Sequence, residues 1–330
     1  MRERNISVDV LKCLAALLIT NSHMAIMYGK YSFLATGGCI GDVLFFFCSG
    51  FTLFLKPLGG ASDFPNWYKR RINRIYPSVL AVAIIGCLFF GYHGDILDVI
   101  TAGKYWFVTC IMLYYIAIFF VGIYLRGRLF WVGALVLLGS AAWFYTMCRE
   151  PGFTLYGHKY DGGVNYVRWL LFFIFMLMGA WMGAQPREHF KCRPVRDLVL
   201  LLCSIIAFYV IFISTMRVKS ITPLQILSVF PLMGVVFYFY KVGQSEWVRS
   251  IYNSKAGFFF IRFVGGLCLE IYMIQYYLFT DKLNNIFPLN ILIMFAVIIG
   301  AAYLTRCFAR LIGQTFKDEP YDWKKIREIY

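Results

Sequence analysis

Val8-Asp9-Val10-Leu11-Lys12-Cys13-Leu14-Ala15-Ala16-Leu17-Leu18-Ile19-Thr20-Asn21-Ser22-His23-Met24-Ala25-Ile26-Met27-Tyr28 is the stretch whose reading decides the fold. Its length and apolar character are those of a helix crossing a lipid bilayer, which needs about 20 such residues. It nevertheless carries Asp9, Lys12 and His23. Ionisable groups inside a span are costly and mark function by default. Lys12 and His23 are eleven residues apart. They therefore share one stripe of a helix, separated by about 20° around the axis and about 16 Å along it. Asp9 and Lys12, at i and i+3, are spaced to pair. Two meanings of the stripe stand side by side: a wired functional face, or a snorkelling lysine with a histidine hydrogen-bonded between helices.

The rest of the chain extends this pattern. Of 330 residues, 60% are hydrophobic and 15% charged, which excludes a soluble domain and predicts an all-α polytopic membrane bundle. Apolar runs give ten spans, roughly 8–28, 37–56, 77–92, 106–125, 129–147, 167–184, 198–215, 223–241, 257–279 and 288–306. With the N-terminus cytoplasmic, inner segments hold 22 of the 32 Lys and Arg residues and outer loops hold 8. That asymmetry predicts both termini in the cytoplasm. It also explains the net charge of +15 without nucleic acid as a partner. Short connections predict one domain over 1–330, with 306–330 a cytoplasmic basic tail and no soluble domain on either side. The first span is too long and too charged for a cleavable signal. The ten cysteines contain no CxxC pair, so they read as packing residues, and no metal is expected. Gly179 and Gly183 form a GxxxG packing step, and Pro231 is expected to kink span 8.

Three further constellations can carry chemistry. In Gly41-Asp42-Val43-Leu44-Phe45-Phe46-Phe47-Cys48-Ser49-Gly50-Phe51, Asp42 and Ser49 lie two turns apart on one face, and Asp42 enters the bilayer as deeply as His23. A carboxylate at that depth can orient an imidazole; the bland alternative places Asp42 at the interface. The basic run Lys69-Arg70-Arg71-Ile72-Asn73-Arg74 puts Arg71 and Arg74 one helical turn apart. Two guanidinium forks suit a phosphorylated ligand on the cytoplasmic side, and equally an anionic lipid. Span 9 buries Glu270, which needs a partner or a proton, beside Tyr272 and Gln275. Trp106 is one of several aromatics at span ends. The outer loop with His158, Lys159, Tyr160 and Asp161 has the polar and aromatic mix that holds sugars.

The ordered motifs resemble those of acyltransferase family 3, integral-membrane enzymes that modify surface glycans. The family's basic residue, ten intervening positions and histidine are matched by Lys12 and His23. Its Phe-Phe-x-x-Ser-Gly-Phe is Phe45 to Phe51, its Arg-x-x-Arg is Arg71 and Arg74, and its Trp-Phe is Trp106-Phe107. The late Gly-x-x-Ser-x-x-x-Tyr-x-x-His pattern departs: Gly265 and Tyr272 are kept, while Cys268 and Gln275 replace the serine and the histidine. Chemistry assigned to that second histidine therefore falls to His23.

The resemblance implies transfer of an acyl group, most often acetyl, from cytoplasmic acetyl-CoA to a hydroxyl of a lipid-linked or cell-surface glycan. It places the protein in the bacterial inner (cytoplasmic) membrane, among membrane lipids. His23 is then the candidate base or acyl carrier, with Asp42 orienting it and Ser49 serving the acyl carbonyl. Lys12, Arg71 and Arg74 are candidates for the CoA end, and Glu270, Tyr272 and Trp106 for the acceptor. The competing expectation is a proton-coupled transporter or flippase of a lipid-linked glycan, with His23, Glu270 and Lys12 as a proton relay and no covalent product.

Overall fold

The computed structural model describes residues 5–102, 104–150, 152–157, 165–316 and 318–328, and every regular element among them is helical. The α-helices are α1 (Ile6–His23), α2 (Ala25–Tyr28), α3 (Gly38–Phe54), α4 (Phe64–Phe90), α5 (Ile96–Thr101), α6 (Trp106–Tyr124) and α7 (Leu129–Met147). After the outer loop come α8 (Tyr166–Ala184), α9 (Pro194–Arg217), α10 (Val229–Val242) and α11 (Glu246–Asn253). The chain ends with α12 (Lys255–Gly266), α13 (Cys268–Ile274), α14 (Leu289–Thr315) and α15 (Trp323–Arg327). Eight helical segments are long and apolar enough to span a bilayer, and two bent pairs bring the number to ten. The protein is an all-α polytopic membrane protein.

Several boundaries differ from the sequence expectation for identifiable reasons. Span 1 stops at His23 rather than Tyr28. Asn21 Nδ2 donates to the carbonyls of Leu34 (2.8 Å) and Thr36 (3.0 Å), and Tyr28 Oη donates to Asn21 Oδ1 (2.6 Å), folding the following turn back onto the helix end. The chain re-enters at Gly37, whose φ of +99° only glycine adopts without strain, and a 100° bend separates Ala25–Leu34 from α3. Helix α4 runs through Pro77 instead of starting there, so the whole basic run is helical. Pro77 removes only the bond to the Asn73 carbonyl. Pro231 does not kink span 8. It lies in the first turn of α10, where a missing N–H costs nothing, and the segment before it, Lys219–Ser228, is 3-10. Span 9 breaks at Leu267 with a 59° bend, after two glycines that each weaken a helix by about 1 kcal/mol.

The chain divides into two compact units. The first comprises residues 1–11, 43–61 and 116–254. In it, Gly50 of α3 and Gly179 and Gly183 of α8 bring two backbones together: a Cβ on Gly50 would collide with the Met176 carbonyl, and one on Gly179 with the Phe47 carbonyl. The GxxxG step is thus a packing device. Gly50→Ala is expected to cost about 1–3 kcal/mol, read as a lower unfolding temperature in detergent. Gly139→Ala on α7, where a Cβ meets open space, should leave it unchanged. Asp197 is fully buried and ion-paired to Lys241 at 2.9 Å. Asp9 accepts from Tyr252 Oη at 3.0 Å, so the side chain that was spaced to pair with Lys12 is held from α11.

The second unit comprises residues 12–42, 62–115 and 255–330. Helix α14 packs along α4 and α13. Near the break after α1, Asn284 and Asn290 donate to the Ile26 and Met27 carbonyls, each at 2.9 Å, pinning α2. All of the candidate site residues except Ser49 belong to this unit.

Candidate active site

Two clusters lie within the second unit. The outer one is built where α1 ends and where α13 gives way to the 3-10 turn Gln275–Tyr277. That turn places Tyr276 Oη 3.0 Å from His23 Nε2, with the two rings edge to face at 5.0 Å. Tyr276 packs in turn on Tyr272 (5.8 Å) and Tyr105 (6.2 Å), and Tyr272 on Phe107 (5.7 Å). Trp106 stands edge-on to Phe107 at 5.9 Å. Asp42 is buried and close enough to act electrostatically on the Tyr272 hydroxyl. His23 and Tyr272 are therefore brought to one aromatic wall through Tyr276, with Asp42 in electrostatic range of Tyr272 and Trp106 beside Phe107. Ser49 stands two turns further along α3, in the first unit.

Gln275, at the position of the missing histidine, is fully buried, and neither of its amide atoms has a hydrogen-bond partner among the described residues. The sugar-binding expectation for His158 to Asp161 lies outside the described residues.

The inner cluster surrounds a cavity of about 880 Å³. Its walls are α4, with Arg74, Tyr76, Pro77 and Ser78; α14, with Arg306, Arg310 and Gln314; and the C-terminal segment, with Lys325 and Glu328. Four cations thus line one cavity, at the end that the charge asymmetry assigns to the cytoplasm. Glu270 is fully buried and accepts hydrogen bonds from Ser78 Oγ (2.5 Å) and Arg306 Nη1 (2.7 Å). The partner a buried glutamate requires is therefore Arg306, and Glu270 sits behind the cationic cavity rather than at the aromatic wall. Arg74 lines the cavity, whereas the Arg71 guanidinium stacks on Trp67 at 4.7 Å and lies 5.9 Å from Tyr115. Arg71 and Arg74 do not face one anion together. Lys12 is half-buried, and it shares with Arg74, Arg306 and Glu270 an electrostatic reach to the Cys268 thiol.

The residues that sequence reasoning missed are Arg306, Arg310, Lys325 and Tyr276. The hydropathy pattern puts Arg306 at the start of a tail, yet α14 continues to Thr315. The i, i+4 spacing of Arg306 and Arg310 on a continuing apolar helix was the available signal. The C-terminal segment is folded onto α14. Arg310 Nη1 donates to the carbonyls of Lys325 (2.6 Å) and Glu328, and Gln314 Oε1 accepts from the Asp322 N–H at 2.8 Å. Asp322 caps α15 by accepting from the Lys325 N–H at 3.0 Å, which holds its carboxyl below the usual range.

The cationic cavity suits an anionic group, and the histidine–tyrosine pair suits proton transfer. No curated protein and no solved structure gives a match. A family model described as an acyltransferase domain matches residues 5–307. That match covers nearly the whole chain, including both clusters up to Arg306, and the chain belongs to acyltransferase family 3.

Proposed function

We propose that this acyltransferase takes an acetyl group from acetyl-CoA entering from the cytoplasm and delivers it to a hydroxyl of a lipid-linked or surface glycan on the opposite side of the membrane. The observation that supports this most is the placement of two chemically different clusters in one compact unit. One is a four-cation cavity; the other is a histidine at the end of the same α1 that carries Lys12. Lys12 and His23 are about 16 Å apart along that helix, comparable with an extended pantetheine arm. The phosphates stay among Arg74, Arg306, Arg310 and Lys325 while the thioester reaches toward His23.

In the transfer step, the acceptor hydroxyl gives up its proton to the imidazole as its oxygen bonds to the acyl carbonyl carbon. The carbon–sulfur bond breaks, and the CoA thiolate recovers the proton from the imidazolium. Trp106, which is partly exposed, offers a ring face on which a sugar stacks. Tyr272 is buried among Tyr105, Phe107 and Tyr276 and shapes the site, and Asp42 acts on the Tyr272 hydroxyl. Glu270 orients Arg306. The transport alternative uses Glu270 as a proton carrier, a role disfavoured by its ion pair with Arg306.

The experiment is titration of acetyl-CoA against purified variants. Arg74→Ala removes a charge-assisted contact and should weaken acetyl-CoA binding by about tenfold to a hundredfold, from about 1.5–3 kcal/mol per such bond. Arg71→Ala should change affinity far less, because its guanidinium stacks on Trp67 and, unlike Arg74, does not line the cavity. Unchanged affinity in Arg74→Ala would return the cavity to lipid headgroups.

A further inference from the structure

The late family pattern lost its histidine at Gln275, but the next residue has taken a position against His23. We propose that Tyr276 is a second catalytic residue, relaying the acceptor's proton to His23; this rests on the acyl-transfer function proposed above. Three features carry it. The Tyr276 hydroxyl lies 3.0 Å from Nε2, the distance a proton donor to that nitrogen must have. Its ring is fixed from two directions by Tyr272 and Tyr105, so the hydroxyl is pre-positioned rather than free to wander. The side chain is 36% exposed, so an entering hydroxyl can reach it.

The step balances. The acceptor O–H proton passes to the Tyr276 oxygen as the Tyr276 proton passes to His23 Nε2, and the acceptor oxygen bonds to the acyl carbon. When the carbon–sulfur bond breaks, the imidazolium proton goes to the thiolate and Tyr276 remains neutral. Among the described residues, the groups that face this pair include Tyr272 from α13, Tyr105 from the turn before α6, and Asp42 from α3 through Tyr272.

The test uses membrane vesicles carrying the full chain, supplied with radiolabelled acetyl-CoA, with the vesicles' own glycolipids as acceptors. Tyr276→Phe retains the ring packing and loses only the hydroxyl; Tyr276→Leu loses both. A relay predicts that Phe and Leu both slow labelling at saturating acetyl-CoA by about a hundredfold, with the half-saturating acetyl-CoA concentration unchanged. The solvent deuterium isotope effect on labelling should also fall in the Phe variant. If Phe labels at the wild-type rate with the wild-type isotope effect while His23→Ala is inactive, the relay is wrong and the function proposed above stands. Should His23→Ala label normally, or the wild type not label at all, that function falls and the relay with it.

Discussion

His23→Ala is expected to reduce acyl transfer by about 10²- to 10⁴-fold, the range lost when a positioned general base is removed. The chain should still insert and fold. The imidazole is half-buried at the last turn of α1, and the helix end is held by Asn21, Leu34, Thr36 and Tyr28 independently of it. Labelling of glycolipid from radiolabelled acetyl-CoA, alongside an unfolding temperature in detergent, separates the two effects. Loss of activity at an unchanged unfolding temperature is the expected pair of results. Acetyl-CoA binding should be unaltered as well, since the cationic cavity lies at the other end of the unit.

Arg306→Ala should produce the largest loss of stability, about 3–5 kcal/mol, because it leaves the Glu270 carboxyl without its cation in a site with no exposure. The pair ties α13 to α14, and Ser78 adds α4. Glu270→Gln combined with Arg306→Met replaces the ion pair with groups that need no counter-charge, and should recover much of the loss. Acetyl-CoA affinity should not recover with it. Stability restored without affinity would assign Arg306 to ligand as well as to structure; affinity restored together with stability would leave it structural only. Unfolding temperature and acetyl-CoA titration on the single and double variants read both quantities.

Much of the architecture was legible in the sequence because hydropathy over about 20 residues is a strong signal. Each of the ten apolar runs has a matching helix or bent helix pair. The boundaries were less legible, since tertiary hydrogen bonds set them. Nothing within 8–28 shows that Asn21 will bind carbonyls at 34 and 36 and end the helix at His23. Nor does Pro77 announce that α4 will run through it.

For the site, spacing on a single helix was readable, as with Lys12 and His23. Relations between helices were not. Glu270 was expected to need a partner, but which of the basic residues would supply it depended on α14 passing behind α13. Arg71 and Arg74 looked equivalent by spacing, yet the aromatic partners Trp67 and Tyr115 draw one of them away from the cavity. Tyr276 gave no signal at all: one tyrosine among 23 is picked out only by the 3-10 turn that aims it.

The central claim is that this chain makes a covalent acyl ester on a glycan, and mass spectrometry of surface glycans tests it most directly. Glycans should be compared from cells expressing the wild-type chain, the His23→Ala chain and no chain. The account predicts glycans heavier by one acetyl group per modified site with the wild type alone. Glycans of identical mass in all three, or an acetyl increment that persists with His23→Ala, would contradict it.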